Sequence, residues 1–389
     1  MLSNKINITK PFITILLTAI IAACGSGGGN TQIDSPQSAV IETPIEVVID
    51  TPEEVTSPVD ETHQVTLPVT KPFTLMDEIN PYTAIADMDV GINLGNTFDA
   101  PNEGDWALPA KESFIKAFKD AGFNHVRIPV TWHEHTGKMA PYEIDSDFLD
   151  RVEVVVDWAL KHDLYVILNA HHESWLKEDY QDNNFKARFD SIWTQIAAHF
   201  KEKPAKLMFE ILNEPNGMTI EDVNEVNKRI LSIIRNGNPN RLVVFSGHGY
   251  TPISSLLETE IPDPQDKFLV GNFHSYDPWN FAGQCQTSWG TDDDKTKLRD
   301  IYQRASDWSI VNQIPLMVNE FGAAKFDFTQ PENVCVLSER LDYITEHVGL
   351  ANEFGIAASF WDDGGSFSTY DRTNNSWGPE KDVLVSENE

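Results

Sequence analysis

Basic residues are scarce in this chain: 29 Lys and Arg stand against 60 Asp and Glu, a formal net charge of −31 over 389 residues. That balance excludes a nucleic-acid partner and attraction to an anionic membrane surface, since both need a basic face. An uncharged substrate fits it better. Cysteine is scarcer still, with only Cys24, Cys285 and Cys335. No CxxC and no Cys/His zinc spacing occurs, so a structural zinc site is not expected. Cys285 and Cys335 could pair in an oxidising compartment, but their spacing does not say whether they meet. No GxGxxG follows the first strand-like run, which argues against a doubly wound dinucleotide-binding sheet.

Long apolar runs are equally rare. The stretch Pro11 to Ala23, preceded by Lys5 and Lys10, has the length of a signal-peptide core and is too short to span a bilayer as a mature helix. Residues 1–23 therefore read as a signal peptide, and the protein as exported. The stretch ends Ile21-Ala-Ala-Cys24-Gly25, which resembles the lipobox of bacterial lipoproteins. That resemblance implies cleavage before Cys24 and a lipid on its thiol, hence an outer-membrane-anchored protein in the periplasm or at the cell surface. An ordinary signal peptide would instead give a secreted one. Residues 25–70 contain no Lys or Arg and repeat Thr-Pro, Ser-Pro and Leu-Pro steps, so residues 24–70 read as an extended acidic tether. With the eight tether acids and the two leader lysines set aside, −31 becomes −25 for residues 71–389. The folded domain is itself acidic.

What is present is alternation. Eight apolar strand-like runs begin near Val90, His125, Leu164, Leu207, Arg241, Phe268, Pro315 and Gly355. Between them lie segments of helical period, such as Ser113–Ala121, Phe148–Lys161, Phe185–Lys201, Ile220–Arg235 and Leu298–Asn312. Eight strands interleaved with helices over about 300 residues predict an α/β fold, a (β/α)8 TIM barrel forming a single catalytic domain over residues 71–389. No internal repeat is visible.

Chemistry collects at the ends of these runs. Arg127 lies on the second, and the third ends Asn169-Ala-His171-His172-Glu173. The fourth ends Asn213-Glu214-Pro215 and the sixth Phe273-His274-Ser275-Tyr276. The seventh ends Asn319-Glu320 and the eighth Phe360-Trp361-Asp362. In a barrel all of these converge on one rim, where its active sites form. Two carboxylates with Arg, His and Tyr nearby suit a general acid and a nucleophile at an acetal carbon. Trp361 offers a flat apolar face for a sugar ring, and Asn213 a hydrogen bond to a sugar hydroxyl. The pattern reads as a glycosidase.

On these residues the chain resembles glycoside hydrolase family 5, a retaining clan of (β/α)8 barrels that includes endo-β-1,4-glucanases and β-mannanases. The resemblance covers nearly all of residues 85–375. It rests on Gly91-Ile-Asn-Leu-Gly-Asn96, Ala100-Pro-Asn-Glu-Gly-Asp-Trp106, Gly122-Phe-Asn-His-Val-Arg-Ile-Pro129, Asn169-Ala-His-His172, Asn213-Glu-Pro215, His274-Ser-Tyr276, Asn319-Glu-Phe-Gly322 and Trp361. It implies Glu214 as acid/base and Glu320 as nucleophile, with Arg127 and Tyr276 flanking Glu320 and His274 beside Glu214. It also implies that Asn213 holds the 2-hydroxyl and that His171 and Trp361 line the cleavage site. Substrate contacts are further expected from His172, and from Asn96 and Glu103 on the first rim loop at a distal subsite. Ser275 stands where the family often has Tyr, and Asn319 where a Gly commonly precedes the nucleophile; both bear on substrate choice.

The implied reaction is double displacement at internal β-1,4-glucan bonds, with β-mannan, xyloglucan and mixed-linkage glucan as alternatives. No cofactor and no metal are expected; the partner is a β-linked poly- or oligosaccharide substrate, and the protein is expected to be a monomer. His133-Glu-His135 with His171-His172-Glu173 is a metal alternative, and Asp292-Asp-Asp294 reads as a solvated turn. A lipid-anchored glycan-binding protein without catalysis is the alternative from another class. Among the tryptophans, Trp158, Trp193 and Trp308 read as core. Trp106, Trp132, Trp175, Trp279, Trp289 and Trp377 are candidate sugar platforms.

Overall fold

The computed structural model describes residues 78–385. The expected leader, Cys24 and the whole of the tether lie outside them. Eight parallel strands close into a barrel. They are β1 (Val90–Asn93), β2 (His125–Ile128), β3 (Tyr165–Asn169), β4 (Leu207–Glu210), β5 (Val243–Ser246), β6 (Leu269–Ser275), β7 (Leu316–Phe321) and an eighth strand, Ala357–Phe360. The eighth pairs with both β7 and β1, which closes the ring. All eight expected strand runs are therefore present. The principal helices lie outside the ring, including Glu112–Ala121, Ser146–Lys161, Asn183–His199, Ile220–Arg235, Asp292–Asn312 and Leu337–Phe354.

Side-chain alternation divides the core in two. Residues facing the helices, such as Val126, Val166, Leu168, Phe209, Val243 and Val318, belong to the large outer core. Their neighbours face the lumen. At the lower end these are apolar: Tyr165, Ile167, Met208, Val244, Val270, Met317 and Ala357 form a separate cluster. The helix Pro81–Met88 (α1) plugs that end with Ala84, Ile85 and Met88. It starts where Pro81 follows Asn80, whose side chain accepts from the N–H groups of Tyr82 and Thr83.

Two local expectations are corrected. Asp292-Asp-Asp294 is not a turn but the first turn of a 21-residue helix. Thr291 and Asp294 form its capping box, and three acids at a helix N-terminus are favoured by the unpaired N–H groups there. Trp132 and Trp289 are not platforms; both are buried in the core. Trp377 packs on Phe118 and Phe123 rather than on the rim. Trp193 and Trp308 are buried and Trp158 packs against the core, as expected. Cys285 and Cys335 form a disulfide that joins the segment after β6 to the one after β7.

Candidate active site

Toward the upper end of the lumen the inward residues become polar: Asn93, Arg127, Asn169, Glu210, Asn272, His274 and Asn319 are all buried. A charge so placed must be paired. Arg127 is held by two carboxylates, donating from Nε and Nη2 to Glu210 at 2.7 Å each and from Nη1 to Glu320 at 2.6 Å. Its remaining hydrogens reach Asn93 Oδ1 (2.9 Å) and Asn213 Oδ1 (2.7 Å). Burial works against the Arg127 charge, but Glu210 and Glu320 outweigh it and hold the guanidinium protonated.

Glu320 is the penultimate residue of β7, where a register shift against β6 sets it opposite His274. Its second oxygen accepts from the Tyr276 hydroxyl at 3.0 Å. Burial, with Glu320 beside it, pushes the Tyr276 hydroxyl well above its usual range, so that group stays a donor. Glu214 follows β4 with a φ of 35°, an unfavourable conformation for a side-chain-bearing residue and a frequent mark of a functional position. His274 Nδ1 lies 3.0 Å from Glu214 and 3.6 Å from Glu320. Burial opposes protonation of His274, but Glu320 and Glu214 prevail and raise its pKa. One carboxylate oxygen each of Glu214 and Glu320 and one ring nitrogen of His274 lie within 4.8 Å of one another.

The other expected residues stand around this pair. The His171 and Trp361 rings are parallel, with centroids 5.8 Å apart. Burial, helped by His172 and Arg127, holds His171 neutral, and Asn169 Nδ2 lies 3.1 Å from its Nδ1. His172 is exposed and meets the edge of Trp106, itself 51% exposed. Trp279, 46% exposed, meets the Tyr276 ring edge-on. Asn96 lies half-buried in the loop after β1, its backbone N–H bonded to Asp99. Glu103 does not join the site: it binds Arg151 and the backbone of Ala110. The histidines do not gather into one cluster. His133 faces Glu173 at 3.2 Å, and His135 stacks on Phe148.

Asn319 is accounted for by the polar layer, since it donates to Glu210 at 3.0 Å and its backbone N–H to Asn272 at 3.1 Å. Glu210 and Lys177 escaped the sequence reading, and Glu173 entered it only as a strand end and in the metal alternative. Glu210 was legible as a lone carboxylate inside an apolar strand, four residues before Glu214. Glu173 is fully buried and accepts from the Trp132 backbone (2.8 Å) and the Trp175 indole (2.7 Å). Lys177 donates to the His171 carbonyl at 2.8 Å, and burial lowers its pKa to about 8 against the pull of Glu214 and Glu173.

A carboxylate locked by Arg and Tyr, facing a second bonded to a histidine, can attack an acetal carbon while the second supplies a proton. The family model "Cellulase (glycosyl hydrolase family 5)" matches residues 87–366. The chain belongs to glycoside hydrolase family 5. This family 5 domain is 41% identical over 297 residues to Endoglucanase H of Acetivibrio thermocellus, covering 76% of this chain and 32% of that protein. To Cellulase/esterase CelE of the same organism it is 31% identical, covering 78% of this chain and 39% of that protein. The chain thus spans about a third of the length of these relatives. A hyperthermophilic endo-β-1,4-glucanase solved with substrate superposes with a TM-score of 0.74 at 32% identity, covering 79% of this chain and all of that one. Thermotoga maritima Cel5A, solved with mannotriose, gives a TM-score of 0.74 at 30% identity over 78% of this chain and 99% of that one.

Proposed function

We propose that this domain is a retaining endo-β-1,4-glucanase. The observation that carries the mechanism is that His274 Nδ1 touches both carboxylates, 3.0 Å from Glu214 and 3.6 Å from Glu320, so that one oxygen of each lies less than 4.8 Å from the other. Retaining pairs stand about 5–5.5 Å apart, whereas inverting pairs leave about 6.5–9.5 Å for a water. Glu320, held in place by hydrogen bonds from Arg127 and Tyr276, attacks the anomeric carbon. Glu214 protonates the leaving oxygen, then as a base draws a proton from the water that releases the glycosyl group. His274, bridging both carboxylates, supports the change of protonation on Glu214. Arg127 takes the Asn213 oxygen, which leaves the amide N–H groups for the sugar 2-hydroxyl. His171, His172, Trp361 and Asn96 line the sugar side. Endo cleavage of β-1,4-glucan is supported by the endoglucanase relatives.

The same reading makes the protein exported, anchored at the outer membrane through Cys24 or else secreted. The Cys285–Cys335 disulfide fits an oxidising compartment. The deciding experiment follows the anomeric signal of fresh product by proton NMR across carboxymethyl cellulose, barley glucan, xyloglucan and galactomannan. The β-anomer should form first, fastest from a β-1,4-glucan. First appearance of the α-anomer would overturn the mechanism, and preference for galactomannan the substrate.

A further inference from the structure

One guanidinium joins two walls of the rim. Arg372, buried beyond the eighth strand, donates from Nη1 to the Gly95 carbonyl (3.0 Å) and to Thr97 Oγ1 (3.1 Å). From Nη2 it donates to the carbonyl and to Oδ1 of Asp362, both at 3.0 Å. The first pair fastens the loop after β1, and the second the loop after the eighth strand. Asp362 is fully buried and also accepts from the backbones of Gly364 (3.0 Å), Thr369 (2.7 Å) and Tyr370 (2.9 Å). Gly95 N–H returns a bond to the Asp362 carbonyl at 2.9 Å.

Trp361 lies where these bonds meet. A Cβ on Gly95 would come within 3.0 Å of the Trp361 ring and 2.9 Å of the Asp362 carbonyl, so the indole rests directly on the Gly95 backbone. Its other known neighbour is His171, parallel to it at 5.8 Å. The platform therefore has a floor, and Arg372 holds that floor. The bonding continues around the rim: Asp99 takes the Asn96 and Thr97 N–H groups, Thr131 donates to the Asp99 carbonyl, and the His172 N–H reaches Thr131.

We propose that Arg372 is a positioning residue for sugar binding, acting through Gly95 and Asp362 on the plane of Trp361; this rests on the glycosidase reading above. The residue type suits the task. A planar fork reaches both loops at once, whereas a lysine ammonium presents its donors from one point. Stability alone does not call for it, because a buried ion pair is weak evidence of stabilisation.

The test is a cycle of Arg372→Met, Trp361→Ala and the double variant, assayed on an aryl β-cellobioside. Active sites are counted with a 2-deoxy-2-fluoro-cellobioside inactivator. Absence of labelling and turnover in the parent enzyme would sink the glycosidase reading, separately from this proposal. In the parent background, Arg372→Met should raise KM about three- to tenfold with kcat per active site changed by less than about twofold. In the Trp361→Ala background the same change should add almost nothing, because the two residues act as one unit. Arg372→Lys should show a smaller KM effect, and it decides the cycle if Arg372→Met does not fold. Losses that add in full, or an unchanged KM per active site, would overturn the proposal.

Discussion

The two ends of the barrel lumen solve the burial problem in opposite ways. At the lower end, Met208, Val244, Val270 and Met317 fill the space and α1 seals it, so nothing charged has to be desolvated. At the upper end, two residues further along the same strands, the inward positions carry Glu210, Asn272 and Asn319. There Arg127 has to be balanced by Glu210 and Glu320. The contrast teaches where stability and chemistry are separated. Removing atoms below leaves a cavity; removing a partner above leaves an unpaired charge.

The largest effect should come from breaking the chemistry of the upper end without its packing. Glu320→Gln should lower kcat on the order of ten-thousandfold or more, and Glu214→Gln about a hundred- to ten-thousandfold, both with a retained thermal transition. Azide should restore turnover to a small-side-chain variant of Glu320 as an α-glycosyl product, because an external anion then replaces the missing nucleophile. Turnover close to the parent in either Gln variant would remove that residue from its role.

Next comes a matched pair of stability changes. Arg127→Met strands Glu210 in the interior and should cost about 3–5 kcal/mol, with activity lost as well. Met208→Ala should cost about 2–5 kcal/mol through its cavity, yet keep kcat per folded molecule. Denaturant unfolding combined with active-site counting separates the two. If Met208→Ala lost activity per active site, the two ends would not be independent.

Legibility followed locality. The strand ends were readable because a polar residue after a short apolar run needs only a few neighbours to be noticed, and Glu214, Glu320, Arg127 and His274 all lie there. Glu210 hid inside such a run, where only its lumen-facing register reveals it. Trp132 and Trp289 were misread because a loop position says nothing of the residues that later cover it. Asp292-Asp-Asp294 was misread because the capping role of Thr291 was overlooked. Arg372 was out of reach, since its bond to Gly95 spans 277 residues.

Two histidines make the contrast titratable, with opposite signs. His125, in the lower part of the lumen, sits over Gly91 with Nδ1 2.9 Å from the Met88 carbonyl and Nε2 2.6 Å from Ser359 Oγ. Burial lowers its pKa to about 4, against the support of the Met88 carbonyl. A depressed pKa favours the neutral ring, so its contribution is complete above the ordinary value of 6.5 and fades as pH falls toward 4. That contribution is at most about 3 kcal/mol. His274 at the upper end has a raised pKa, because Glu320 and Glu214 outweigh burial. Its contribution is complete below 6.5 and fades as pH rises through the raised value. The thermal midpoint of the parent, His125→Gln and His274→Gln, followed from pH 4 to 9, separates the ends. His125→Gln should flatten the acid side of the profile, and His274→Gln should flatten the alkaline side by a smaller amount. Met208→Ala should lower the whole curve without changing its shape. An acid-side slope that survives intact in His125→Gln would place that titration elsewhere in the molecule.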